Sequence, residues 1–303
     1  MNPDQENLRG PMQMRPEDLV KGAVRLISLP EVFVKVTRMV DDPRTSGAMI
    51  ARVIGEDPVL TARLLRVANS PLYGFPTRID TISRAIAVIG TRGLRDLVLA
   101  YAAIDALSRF KDGLIDMAVF WHRSLFCAIT ARLLGVRLRV IEAEALFVMG
   151  LLHDIGQLII VHKLPEMARE THLRAGDSGM RLHILEHAVI GFDHAEVGGE
   201  LLRQWLLPEP IWEAVRCHHS PGEARRHSLN AALIHIAAIV AETSYGGDLS
   251  PQDQTALAYH LAAEIDPIAW AVTGLNSDVL IELYQEATDQ LVPLSQTMLP
   301  QAA

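Results

Sequence analysis

The sequence predicts an all-α protein, a multi-helix bundle. Three observations carry that prediction. Apolar residues recur at spacings of three and four, as in Leu19, Ala23 and Leu26, which puts them on one face of a helix. Helix-start signals recur as well, such as Asp57-Pro58, a capping residue followed by a first-turn proline. No alternating strand pattern of useful length appears, and no hairpin dipeptide separates apolar runs.

The elements follow in order. Residues 1–15 mix Asn, Gln, Pro and Met without period and read as a flexible N-terminus. Pro16-Glu17-Asp18 opens the first helix, with acids in its first turn. Leu29-Pro30 breaks it, and 31–40 resumes. Ser46 caps a helix running to Gly55. After Asp57-Pro58, the residues Val59, Leu60, Leu64, Leu65 and Ala68 form a buried face, ended by Asn69-Ser70-Pro71. Asp80 or Thr81 caps 81–89, residues 90–93 make a turn, and 94–108 is the next apolar-faced helix. Helices follow at 115–134, 141–161, 165–175 and 182–190. Asp193 caps 194–206, and 210–218 stops at Ser220-Pro221. Segment 230–243 is apolar nearly all round, so it is a buried helix. Gly246-Gly247 breaks it, and 252–264, 267–273 and 278–291 complete the chain. No fixed-period repeat is found, which argues against a solenoid.

Composition excludes several classes. The net charge of −8 argues against a nucleic-acid binder, which usually carries a basic excess. Two cysteines, Cys127 and Cys217, are too few for a disulfide framework, so a reducing cytoplasm is expected. The polar, acidic start Met1-Asn2-Pro3-Asp4-Gln5-Glu6 is unlike a signal peptide. No charge-free apolar run approaches roughly 18 residues, so no membrane span is expected.

The chemistry concentrates in the histidines. All 12 lie at or beyond His122. Within 150–158, His153-Asp154 interrupts an apolar run, and burying a carboxylate beside an imidazole is costly without compensation. The candidate set is His122, His153, Asp154, His194, His218 and His219. Inward-facing ligands on helices are one way to build a metal site in a helical core. Neutral imidazole suits Zn, Fe, Ni or Cu, a carboxylate can bridge two ions, and the expected ion for the whole set is Fe, Mn, Zn or Ni.

Several blocks carry a family resemblance. Leu151-Leu152-His153-Asp154-Ile155-Gly156 resembles the signature of HD-superfamily metal-dependent phosphohydrolases. The HDOD branch (HD-related output domain) is the better match. Leu29-Pro30, Asp57-Pro58-Val59-Leu60, Arg66-Val67-Ala68-Asn69-Ser70, Ala85-Ile86-Ala87-Val88-Ile89-Gly90, Gly191-Phe192-Asp193-His194 and His218-His219-Ser220-Pro221 all resemble it in order. The resemblance implies an HD-superfamily-like bundle with helical N-terminal and C-terminal parts. It divides the chain into an HDOD domain at 16–225, made of an N-terminal part 16–112 and an HD-like core 113–225. Residues 226–303 are then a helical C-terminal extension that packs on the domain or mediates homodimer contacts.

The resemblance makes His122 the first metal ligand, His153-Asp154 the central pair, and His194, His218 and His219 the following ones, around one or two divalent ions. It also exposes departures. Ala238 stands where the family's last Asp belongs, and Gln157 where the cyclic-dinucleotide phosphodiesterase branch has Lys. Ala118 stands where trinuclear members carry an acid, and Ser220-Pro221-Gly222-Glu223 replaces a Gly-Tyr-Pro loop. Two readings therefore stay open for the pocket: a metal site, or a metal-free His-Asp hydrogen-bond lock between helices. The implied function is a non-catalytic bacterial signalling module that binds a protein partner or a nucleotide or phosphate ligand. The alternative is a metal-dependent phosphohydrolase acting on a nucleotide or phosphodiester, with Asp154 and Gln157 as its catalytic candidates. His162, His172, His183, His187, His227, His235 and His260 read as ordinary surface or core residues. Arg63, Arg66, Arg78, Arg84, Arg92 and Arg95 read as a solvated face with local ion pairs.

Overall fold

The computed structural model describes residues 14–24, 29–108, 113–245 and 254–299. Among them the secondary structure is helical, with no strand. The lead-in at 1–13 and the Gly246-Gly247 break lie outside the described residues.

Helices α1 (Pro16–Val24), α2 (Glu31–Asp41), α3 (Gly47–Gly55) and α4 (Pro58–Ala68) come first. Ser46 and Asp57 cap α3 and α4, as their sequence signals predict. Helices α2, α3 and α4 pack on α5 (Ile82–Leu107), while α1 lies against later helices. Thr81, not Asp80, caps α5 by accepting from the Arg84 N–H. The predicted turn at 90–93 shrinks to one kink, where Gly90 adopts φ 86°, a conformation open to glycine at no steric cost.

The centre of the bundle is α6 (Met117–Arg137), against which α7 (Ala143–Leu152) and α13 (Ser228–Tyr245) pack. Helix α8 (Ile155–Lys163) leads into α9 (Pro165–Ser178), α10 (Leu182–Ile190), α11 (His194–Gln204) and α12 (Glu209–Arg216). Every residue of α7 but Glu144 is buried, as expected of a helix enclosed on nearly every side. Each large apolar side chain removed from water there contributes about 1.5–3 kcal/mol. By length and composition 143–163 could cross a membrane, with an 18-residue stretch of mean hydropathy 1.6, but 94% of that stretch is buried within the bundle. It is core.

Residues beyond 226 enter the same core. Helix α13 is buried from Ala231 to Ala241. Helices α14 (Gln254–Glu264) and α15 (Pro267–Thr273) precede α16 (Ser277–Met298), which packs on α6, α14 and α4. The last helix runs past the predicted end at 291 and through Pro293. Proline removes one backbone donor, but burial of Leu294 and Met298 keeps the helix going.

The main departure from the predicted elements sits at the His-Asp pair. The single helix expected at 141–161 is two helices, α7 and α8, with His153-Asp154 as the turn between them. Asp154 leaves the helical region at φ −100°, ψ 5°. In an unbroken helix, adjacent side chains diverge by about 100°. The break lets both reach one pocket.

Candidate functional site

Asp154 occupies the cap position of α8 but makes no side-chain cap bond. Both carboxylate oxygens are thereby free for the pocket. Oδ2 accepts from Arg123 Nη2 at 2.6 Å and lies 3.3 Å from His153 Nε2. Oδ1 lies 3.1 Å from His194 Nε2 and 3.8 Å from His218 Nε2. Asp154 and the three histidines are buried, Asp154 at 4% exposure, while Arg123 is partly exposed. Burial by itself raises a carboxyl pKa, but His153, Arg123 and His194 outweigh it and hold Asp154 well below the usual range.

The imidazoles divide into two kinds. His153 Nδ1 donates to the Gly150 carbonyl at 2.8 Å, and His218 Nδ1 to the Val215 carbonyl at 2.7 Å. Burial lowers the pKa of both, well below the ordinary value for His218. With Nδ1 tied to a carbonyl, each ring turns its Nε2 toward Asp154. His218 Nε2 is buried and has no hydrogen-bond partner. His194 is the opposite case. Its Nδ1 donates to Glu186 Oε2 at 2.5 Å. Burial opposes its charge, but Glu186 and Asp154 overcome that and raise its pKa well above the ordinary value. Protonated His194 shares its Nε2–H between Asp154 Oδ1 and His219 Nε2, the latter at 2.8 Å.

Of the predicted ligands, the structure gathers His153, Asp154, His194, His218 and His219. Ligand atoms of His153, Asp154 and His218 lie within 4.8 Å of one another, as do those of His194, His218 and His219. The double histidine reaches the pocket because α12 ends at Arg216 and both rings sit in the turn beyond it. Their centroids are 3.9 Å apart. His122 is not brought into these groups. Its Nδ1 donates one turn back to the Ala118 carbonyl at 2.7 Å. The face of α6 turned to the pocket carries Arg123 instead, one residue on. Gln157 does reach the site, accepting from Arg123 Nη2 at 3.3 Å.

Four residues escaped the sequence reading. Arg123 was hidden beside the more conspicuous His122. Glu186 had a signal: it is the one acid in the apolar stretch 182–190, and it is fully buried. His183 stacks on His219 with centroids 3.9 Å apart. His235 bridges two elements by donating Nδ1–H to the His218 carbonyl at 2.7 Å and accepting from the Asp266 N–H at 3.0 Å. Ala238, where an acid was expected, is buried apolar core. One turn further, Glu242 is open to solvent, yet surrounding protein and then the charge of Asp154 raise its carboxyl pKa. Its carboxylate is close enough to Asp154 for the two charges to interact.

The donor set fits a divalent transition ion. Metal-bound histidines characteristically have the second ring nitrogen tied to a carbonyl or carboxylate, as His153 and His218 have here. The unpartnered His218 Nε2 is the atom such an ion would satisfy. Arg123 is the competing cation on Asp154.

A family model for the HDOD domain matches residues 26–221. The chain belongs to the HDOD family. A Shewanella amazonensis SB2B protein, described as a candidate phosphohydrolase, is 26% identical with TM-score 0.73, covering 92% of this chain and 97% of that one. An HDOD domain protein of unknown function from Geobacter sulfurreducens has the same fold at 23% identity and TM-score 0.75, covering 94% and 99%. An uncharacterised Treponema pallidum (strain Nichols) protein is 26% identical over 196 residues, 63% of this chain. The chain spans only 37% of that relative's length. HDOD membership accounts for the helical bundle.

Proposed function

We propose that this HDOD protein is a regulatory module that signals by binding a protein partner or a small phosphate-bearing ligand, and that it does not turn over a substrate. One observation carries the reading: the Arg123 guanidinium sits on Asp154 at 2.6 Å. A working metallohydrolase needs that carboxylate for its ion, and needs the ion's charge at the reacting phosphate. Here a guanidinium and the protonated His194 already neutralise it. The buried network joins α6, α8, α10, α11 and the turn after α12, which suits a packed, specifying core.

The test is turnover of bis(p-nitrophenyl) phosphate by the full chain with added Mn, Fe, Zn or Ni. Wild type and Asp154→Ala are expected to be equally inactive. Metal-dependent hydrolysis by the wild type that vanishes in Asp154→Ala overturns the reading.

A second reading, a metal-dependent phosphohydrolase, is favoured by the unpartnered His218 Nε2 beside His153 and Asp154. Those three residues would hold the ion, with His194 and His219 beside them. A bound ion would supply Lewis-acid stabilisation of a phosphoryl group. Gln157 would then orient substrate with its amide, and Glu242 would supply the acid that Ala238 lacks.

A further inference from the structure

We propose that Arg123 stands in for a divalent cation and keeps the pocket from binding one, so that removing its guanidinium creates a metal site held by His153, Asp154 and His218. The inference deepens the regulatory reading and rests on it.

Geometry supplies the argument. Zinc sits about 2.0–2.2 Å from imidazole nitrogen and carboxylate oxygen in tetrahedral sites, so two ligand atoms of one ion lie roughly 3–3.5 Å apart. His153 Nε2 is 3.3 Å from Asp154 Oδ2, and His218 Nε2 is 3.8 Å from Asp154 Oδ1. Little motion separates this arrangement from a ligand set. Both imidazoles are already fixed in the needed tautomer by the Gly150 and Val215 carbonyls. The obstacle is Arg123. Its Nη2 bonds the same Oδ2 that faces His153. Among the described residues its only other acceptor is Gln157 Oε1 at 3.3 Å, and its Nε is buried without a partner. Asp154 is therefore what holds the guanidinium in place. A dication and a guanidinium cannot share one carboxylate oxygen at these distances without strong repulsion.

Other features of the molecule explain themselves without a new site. Arg63, Arg92 and Arg95 are paired with Asp105, Glu142 and Asp96. The His187, Asp193 and Glu196 cluster is the capping box of α11 with one exposed histidine beside it.

The experiment compares chelator-stripped full-length wild type, Arg123→Gln, Arg123→Lys and the double variant Arg123→Gln/Asp154→Asn. Each is titrated with Zn²⁺ and Mn²⁺ by calorimetry, and its melting temperature is measured with and without the ion. Arg123→Gln is expected to bind one ion per chain about 100-fold more tightly than wild type, and to melt higher when the ion is present. Arg123→Lys keeps the cation and stays near wild type. The double variant loses the gain. Should Arg123→Gln not melt cooperatively, Arg123→Met carries the same titration. Affinity in the unblocked variant within about threefold of wild type overturns the proposal. An equal gain in Arg123→Lys, or a gain that survives Asp154→Asn, does so too. Phosphodiester turnover by the wild type would instead refute the regulatory reading, so the two failures are distinguishable.

Discussion

Replacing Gly156 with alanine is the sharpest test of how the pocket is assembled. A Cβ at 156 would lie 1.9 Å from the His194 carbonyl oxygen, 2.7 Å from Gly198 N and 2.8 Å from His194 C. An ordinary contact begins near 3.4 Å, so α8 and α11 must part by about 1.5 Å at this point. The obstructing atoms are backbone and cannot swing aside. Overpacking against a rigid neighbour costs about 3 kcal/mol, at the upper end of the usual range. Alanine returns at most about 1 kcal/mol of helix propensity. The net loss is about 2–3 kcal/mol, or roughly 3–5 °C in melting temperature for a chain of this size. The assay is thermal and urea denaturation beside Gly176→Ala, where nothing lies within 4 Å of the added Cβ. That control should gain about 0.5–1 kcal/mol. A Gly156→Ala protein melting within about 1 °C of wild type would show that the two helices do not meet at this glycine, and the account of the pocket's wall would fail.

Further outcomes follow from the same contacts. Glu186→Gln removes the anion from a fully buried pair with His194 and should cost about 3–5 kcal/mol in denaturant unfolding. His235→Ala leaves the His218 carbonyl and the Asp266 N–H without their partner; about 2–4 kcal/mol should be lost, with chemical denaturation again the measure. Asp96 is buried, and burial pushes its pKa up to about 6. Its folded pKa exceeds the unfolded value of 3.8, so the native state takes up its proton first as pH falls. It thus adds stability between pH 6 and pH 4, opposing the general acid loss, by an amount on the order of 3 kcal/mol. Asp96→Asn should make the decline over that window steeper, as read from melting temperatures at stepped pH.

The bundle was legible because caps and helical spacing are local. Ser46, Asp57 and Asp193 cap where the residues alone put them. The pocket was legible in part. The sequence brought forward His153, Asp154, His194, His218 and His219, and the fold gathers them. What it concealed depends on phase and on turns. His122 and Arg123 differ by one step on α6, and only the packing of that helix decides which faces inward. A helix continued through His219 would splay the two adjacent rings about 100° apart, whereas the chain leaves the helix at Arg216 and frees both. Glu186 and His235 looked ordinary because their partners lie 8 and 17 residues away along the chain.

The two bonds made by His235 have a mechanical meaning. One nitrogen grips the main chain of the double-histidine turn; the other grips the backbone at Asp266, the cap of α15, from which the last two helices run. A force that tilts those terminal helices must either rupture this clasp or drag the turn along with it. Motion of α15 and α16 is therefore passed to the interior through a short, rigid link.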